Sequence, residues 1–243
     1  GSDLMSIYNL LCGIGAIQAS PGTLVNTQEF TATGSGAWTK PGNASYAIIE
    51  IWAGGGSGGM AYNAYSYSQG GQGGAYVRYQ ANMSDMNATE NLFIAAGGAA
   101  VQSNGYSGLP GGFSWFGEAV WAKGGYGGRG QFTAATAAAS YTPTVSRPWT
   151  LLSSEAGADG GYGAAGSNAT YAGGGGGGAY NYAGSPFFAG GTSTYGGAGG
   201  GGPANVYANG TSGTQPGGGG GAAIHVAFSG AGANGKIIVK SYA

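Results

Sequence analysis

Ile48-Ile49-Glu50-Ile51-Trp52-Ala53-Gly54-Gly55-Gly56-Ser57-Gly58-Gly59 sets two kinds of backbone end to end. Its first half is β-branched and too uniformly apolar for simple alternation, so it is expected to be a strand buried on both faces. Its second half has almost no side chains. The same glycine-dense texture recurs at Gly70 to Gly74 around Gln72, Gly124 to Gly128 around Tyr126, Gly173 to Gly178, Gly196 to Gly202 around Ala198, and Gly217 to Gly221. One block would serve as a flexible linker; six, spaced through an aromatic chain, call for a regular conformation. The regular form open to them is the extended helix of three residues per turn, polyglycine II, which shares polyproline II geometry but keeps every N–H. With no Cβ, neighbouring helices can approach closely enough for N–H to C=O bonds between them. Ordering glycine costs roughly 0.5–1 kcal/mol more than ordering alanine. Such helices must therefore stack side by side with nearly all backbone groups paired. At about 3.1 Å per residue, a six-residue block spans on the order of 19 Å, close to a strand length. The expected fold is all-β with packed polyglycine II helices, a layered glycine-rich sandwich with little α-helix.

Strands are expected at Glu29 to Thr33, Ala47 to Trp52, Ala75 to Gln80, Asn91 to Ala96, Val120 to Ala122, Ala223 to Phe228 and Lys236 to Tyr242, each rich in β-branched or aromatic residues. Glycine supplies 58 of 243 residues, a level that by itself suggests low complexity. Disorder, however, needs low hydrophobicity with high net charge, and here 42% of residues are hydrophobic and the net charge is -1. Collagen is excluded because the glycines come in blocks. Charged residues make up 6% against roughly 25% in a typical domain, so no basic stripe exists for nucleic acid. Cys12 stands alone, which rules out an intrachain disulfide. The apolar stretch Leu4 to Ile17 is too short, and too interrupted by Asn9, Gly13 and Gly15, to insert in a membrane. It reads as a docking segment whose contacts are Leu4, Ile7, Tyr8, Leu10, Leu11 and Ile14, with Gly1 and Ser2 as a tag remnant. Residues 1–25 thus form the docking part and 26–243 one glycine-rich domain.

Catalytic and cofactor chemistry finds no footing. Gly54, Gly56 and Gly59 match G-x-G-x-x-G after a strand, but the following MAYNAYSYSQGG makes a poor helix and no acid stands about 20 residues on. His225, the one histidine, has Ile224, Val226 and Phe228 as neighbours and reads as a structural strand residue. The acids, among them Glu50, Glu118, Glu155 and Asp159, are scattered singly, so a glycosidase pair has no support. No metal, no cofactor and no enzymatic activity are expected.

The segments between blocks are rich in Tyr, Asn, Ser and Ala, the palette of antibody paratopes, in which Tyr gives large amphipathic contact at low entropic cost. Tyr62, Tyr65, Tyr67, Tyr141, Trp149, Tyr180, Tyr182, Phe187, Phe188 and Tyr207 are the candidate binding residues, and a subset is expected to converge at one end of the domain.

Three passages together resemble the glycine-rich domain at the tips of bacteriophage tail fibres. They are FTATGSGAWTKPG at 30–42 with IIEIWAGGG at 48–56; LFIAAGG at 92–98 with GFSWFG at 112–117 and VWAKGGYGG at 120–128; and the closing GKIIVKS at 235–241. The order of features covers about residues 28 to 243 and is similar to that of distal adhesins of T-even-type phages, in which packed polyglycine II helices carry receptor-binding loops. The long insert Arg129 to Glu155 and the smaller number of glycine blocks depart from that pattern and leave room for a mixed β and polyglycine domain, and for a trimer as well as a monomer. The resemblance implies an adhesin at the distal end of the tail fibre in the virion, acting in host recognition. Its partner would be a bacterial outer-membrane protein or surface polysaccharide. Residues Leu4 to Ile17 would then dock on a tail fibre protein or on another copy of the chain. The alternatives from other classes are an ice-binding or structural glycine-rich protein and a hydrolase of surface glycans.

Overall fold

A computed structural model describes residues 22–63, 66–102, 105–131, 134, 147–180, 188–205 and 207–243. Its strands are β1 (Leu24–Phe30), β2 (Gly34–Thr39), β3 (Tyr46–Trp52), β4 (Met60–Ala61), β5 (Tyr76–Asn82), β6 (Thr89–Ile94), β7 (Ser114–Phe116), β8 (Val120–Ala122), β9 (Thr150–Glu155), β10 (Ala223–Ile224) and β11 (Lys236–Tyr242). The helical content of the described residues is a single 3-10 turn at Met83–Asp85. Antiparallel pairing gives a five-stranded sheet in the order β1-β11-β3-β5-β9 and a four-stranded sheet in the order β2-β6-β7-β8. The two sheets face each other through β3, β5, β7 and β8. Between them lies the main core, built from Trp38, Ile49, Ile51, Leu92, Ile94, Phe116, Val120, Ile237 and Val239.

β3 is buried on both faces, as its composition predicts. Ala47, Ile49 and Ile51 enter the inter-sheet core. On the opposite face Ile48 and Trp52 are still only 6% and 4% exposed. Trp52 packs there with Tyr76 and Ala172 and donates its indole N–H to the Tyr171 carbonyl at 2.7 Å. Glu50, on the same face, accepts from Lys240 Nζ at 2.6 Å and from the Tyr76 hydroxyl at 3.0 Å.

Beyond the strands the backbone continues as polyglycine II columns, and the hydrogen bonds display the threefold period directly. Within 54–59, the N–H groups of Gly54 and Ser57 donate to Gly112 and Leu109, those of Gly55 and Gly58 to Ala233 and Gly230, and those of Gly56 and Gly59 to Gln72 and Gln69. Residues three apart thus address the same neighbouring column. The carbonyls point to three further columns: Gly54 and Ser57 accept from Gly125 and Gly128, Gly55 from Gly98, and Gly56 and Gly59 from Gly220 and Ala223. One column therefore has six neighbours, the packing of a hexagonal lattice. Residues 173–178 repeat the pattern, donating to Gly74, Gly197, Ser167, Gly71, Gly200 and Ala164 in turn. Most positions in such a column admit only glycine, although Ser57 is accommodated, its hydroxyl accepting from Leu109 N–H. A Cβ on Gly56 would sit closer than 3.0 Å to the Tyr126 carbonyl.

The residues that interrupt glycine blocks have tasks of their own. Gln69 and Gln72, three apart and so on one side of their column, extend amide groups where the lattice lacks a further column. Gln72 accepts from Tyr126 N–H at 3.2 Å and donates to Asp159 Oδ1 at 3.1 Å. Gln69 accepts from Arg129 N–H at 3.3 Å and donates to the Gly160 carbonyl at 3.0 Å. A side-chain amide thereby replaces a missing peptide.

Several strand boundaries differ from expectation. The strand placed at Glu29 to Thr33 is β1 and ends at Phe30, while β2 carries Trp38 into the second sheet. β2, β4, β7 and β9 are additional, and β9 lies inside the insert that reads as a variable segment; it pairs with β5 as an edge strand. The strand expected over Ala223 to Phe228 stops at Ile224, because His225 takes a φ of 61, a left-handed conformation that ends extended pairing.

Candidate functional site

The columns deliver a set of chain reversals to the end of the molecule opposite the sheets. There β4 and β10 pair in parallel, and His225 N–H donates to the Ala61 carbonyl at 2.9 Å. Ala61, Ala179, Ala222 and Ile224 make a fully buried apolar floor. Ser68, also buried, ties it down by donating its hydroxyl to the Ala223 carbonyl at 2.9 Å.

Aromatic rings stand around this floor in two groups. In the first, Tyr67 stacks on Tyr180 with centroids 3.9 Å apart and planes 3° from parallel, and leans on Tyr162 at 5.4 Å. Arg129 lies over the Tyr162 ring at 5.7 Å, within cation–π range. In the second, Tyr207 approaches the His225 imidazole at 6.3 Å, and His225 Nδ1 lies 3.5 Å from the Tyr62 carbonyl oxygen. Tyr62 is held by its own N–H, which donates to Gln131 Oε1 at 2.9 Å. Tyr207 is 71% exposed, and Tyr62, Tyr106 and Phe228 are also exposed. Among the described residues, Arg129 is the charged side chain at this end. The stretches 64–65, 103–104, 132–133, 135–146, 181–187 and 206 contain no Asp, Glu, Lys or Arg in the sequence. The described surface is aromatic, amide-rich and nearly uncharged.

A family model described as a glycine-rich domain matches residues 31–242, from the turn after β1 to the end of β11. The chain belongs to the glycine-rich domain family. No curated protein matches it.

Within this glycine-rich domain the structure brings together four of the candidate binding residues, Tyr62, Tyr67, Tyr180 and Tyr207. Phe188 joins the same end half-buried, its carbonyl accepting from Gly202 N–H at 2.8 Å. Tyr65, Tyr141, Tyr182 and Phe187 lie outside the described residues, as do the docking candidates Leu4, Ile7, Tyr8, Leu10, Leu11 and Ile14. Trp149 requires a correction. It is 7% exposed and belongs to the inter-sheet core, 6.0 Å from Phe116 with Arg147 over its ring at 5.2 Å. Arg147 is anchored by an ion pair with the buried carboxylate of Glu90, which also accepts from Asn87 N–H. Trp149 is therefore part of the core and not of the loop surface.

His225 requires another correction, since it is an exposed residue of the loop end and not a strand histidine. Tyr162, Tyr106, Arg129 and Phe228 were not singled out by sequence. The signal for Tyr162 was available, because it interrupts Gly160-Gly161 and Gly163 just as Tyr126 interrupts its own block. The apparent dinucleotide fingerprint is also resolved: Gly54, Gly56 and Gly59 are buried in the central column, and strand β4 follows them instead of a helix. Among the described residues no three His, Cys, Asp or Glu side chains gather into a metal-binding group.

A second aromatic assembly lies on the flank of the domain. Trp52, Tyr76, Tyr171 and Tyr195 form a staircase with successive centroids 4.8, 5.3 and 4.9 Å apart, rising from the buried Trp52 to the exposed Tyr195. Burial, reinforced by the neighbouring Glu50 carboxylate, pushes the Tyr76 phenol far above the ordinary tyrosine range. At the foot of the outer steps the Glu155 carboxylate accepts from the N–H groups of Thr170, Tyr171 and Ala172. Burial alone would raise the pKa of Glu155, but these three backbone donors outweigh it and hold the carboxyl below its usual range.

Proposed function

We propose that this glycine-rich domain is a receptor-binding adhesin of the kind carried at the distal end of bacteriophage tail fibres. It would hold an aromatic, nearly uncharged loop surface against a bacterial outer-membrane protein or surface polysaccharide. The observation that supports it best is the polarity of the molecule. Gly22 N–H donates to the Tyr46 hydroxyl at 3.2 Å and Ala243 N–H to the Thr23 carbonyl at 2.9 Å, so Gly22 and Ala243 lie at the sheet end. Most of the exposed rings, Tyr62, Tyr67, Tyr106, Tyr162, Tyr207 and Phe228, gather at the opposite end, while Tyr171 and Tyr195 lie on the flank. Attachment at one pole and contact at the other suits a fibre tip whose segment Leu4 to Ile17 docks on the fibre or on another copy. The lattice contributes rigidity, since loops rooted in hydrogen-bonded columns lose little further entropy on binding.

The ice-binding alternative would call for a regular outward hydroxyl face. Thr211 and Thr214, three apart on a peripheral column, instead engage their hydroxyls with the backbone of Gly201 and Ala198. Adsorption of the purified chain to host cells tests the adhesin reading. Alanine at Tyr62, Tyr67, Tyr180 or Tyr207 should leave the melting temperature unchanged, and at least one variant should bind about tenfold more weakly or worse, since an aromatic hot spot contributes about 2 kcal/mol or more. With so few charges at the contact, adsorption should change little as salt is raised. Undiminished adsorption by all four variants would overturn the proposal.

A further inference from the structure

We propose that Tyr171 and Tyr195 constitute an oxidative cross-linking site, at which a one-electron oxidant of the peroxidase and hydrogen peroxide type couples the two phenols into a dityrosine. Three features carry the inference. The rings are stacked at 4.9 Å with planes 10° from parallel, and both are open to solvent, at 41% and 59% exposure, so an oxidant reaches each. The backbones that carry them are clamped together: Tyr195 N–H donates to the Thr170 carbonyl and Ala169 N–H to the Thr192 carbonyl, both at 2.9 Å, and the Ser193 hydroxyl donates to the Ala172 carbonyl at 2.7 Å. Tyr76, packed on the inner face of Tyr171 at 5.3 Å, blocks retreat toward the sheet. Two tyrosyl radicals formed here are held as neighbours, the condition under which coupling outruns escape.

Among the described residues three other tyrosine pairs also stack, Tyr46 with Tyr242, Tyr67 with Tyr180 and Tyr76 with Tyr171, but in the first two at least one ring is half-buried and in the third Tyr76 is fully buried. Among the described residues Tyr171 and Tyr195 are the stacked tyrosine pair with both rings exposed. The reaction balances simply. Each phenol gives one electron to the oxidant and its phenolic proton to water, and the two radicals join by one bond between ring carbons ortho to the oxygens. The hydrogens on those carbons then move to the oxygens, restoring two phenols. The two electrons and two protons released convert one hydrogen peroxide to two waters. The product ties together the turns that begin two polyglycine columns, in a chain whose single cysteine precludes an intrachain disulfide. A cross-link closing a chain loop stabilises by restricting the unfolded state.

The test is to treat the dilute full-length chain with a peroxidase and hydrogen peroxide, isolate the monomer, and map the cross-links by mass spectrometry. Trypsin cannot separate the pair because no Lys or Arg lies between Arg147 and Lys236, so chymotryptic cleavage after Tyr180, Phe187 or Phe188 is used. The expected product joins the Tyr171 and Tyr195 peptides with the loss of two hydrogens and shows dityrosine fluorescence. Tyr195→Phe keeps the stacked ring and should melt like the wild type before oxidation. After oxidation it should lack this product, and the wild type alone should gain in melting temperature. Dityrosine appearing only between molecules or only at other pairs, or no dityrosine in the monomer, would overturn the proposal.

Discussion

Glu155 shows how much one side chain can organise in a fold with few charges. Its carboxylate closes the turn before the column that starts at Ala172 by accepting three consecutive backbone N–H groups, two of them at 2.9 and 2.8 Å. Because the folded-state pKa lies below that of the unfolded chain, the stabilisation is fully present above the ordinary glutamate value. It is lost as pH falls through the lower folded value. The wild type should therefore lose melting temperature in that acidic window. Glu155→Gln should be less stable than the wild type at neutral pH, and the gap should narrow as the solution is acidified, as thermal melts across pH would register. In the sequence Glu155 is one scattered acid among eight, because its three donors stand in a separate segment and no spacing rule links them. Trp149 was misjudged for a related reason. A lone tryptophan in an aperiodic insert carries no mark of the core it fills, whereas Tyr62, Tyr67, Tyr180 and Tyr207 flank column ends and were readable as loop residues.

At the scale of elements, legibility followed side-chain density. The limits of β8 and β11 coincide with expectation because Val120 to Ala122 and Lys236 to Tyr242 combine branched or aromatic residues with glycine borders. β2, with GSGAWT, was missed as a strand because its glycines mimic the blocks around it, and β9, with TLLSSE, because it is an exposed edge strand without alternation. The columns themselves were legible as polyglycine II from composition, but which column neighbours which was not. Adjacency is decided by backbone bonds that any glycine can make, so the sequence holds no specific partner signal. What it does hold is the ban on side chains. A Cβ on Gly219 would lie closer than 3.0 Å to the Gly71 carbonyl, and one on Gly175 to the Asp159 carbonyl. Valine at either position should lower stability by about 1–3 kcal/mol or more, the usual cost of overpacking, read as a fall in melting temperature. An unchanged melt would mean that these columns are loose loops.

The whole molecule is ordered along one axis, with sheets and core at the pole where Gly22 and Ala243 lie, columns between, and most of the exposed rings at the far pole. That arrangement gives the lattice something like a reading frame. Since donors three apart address the same neighbour, a column lengthened by three residues returns every N–H to the column it already served, one turn further along. A column lengthened by one residue turns all later donors by a third of a revolution, onto neighbours whose carbonyls are already engaged. Three glycines inserted after Gly176 should extend the column by about 9 Å and preserve a cooperative melt, whereas one inserted glycine should abolish it. Loops at the tip can thus vary in length residue by residue, while the shafts that present them can grow or shrink only by whole turns.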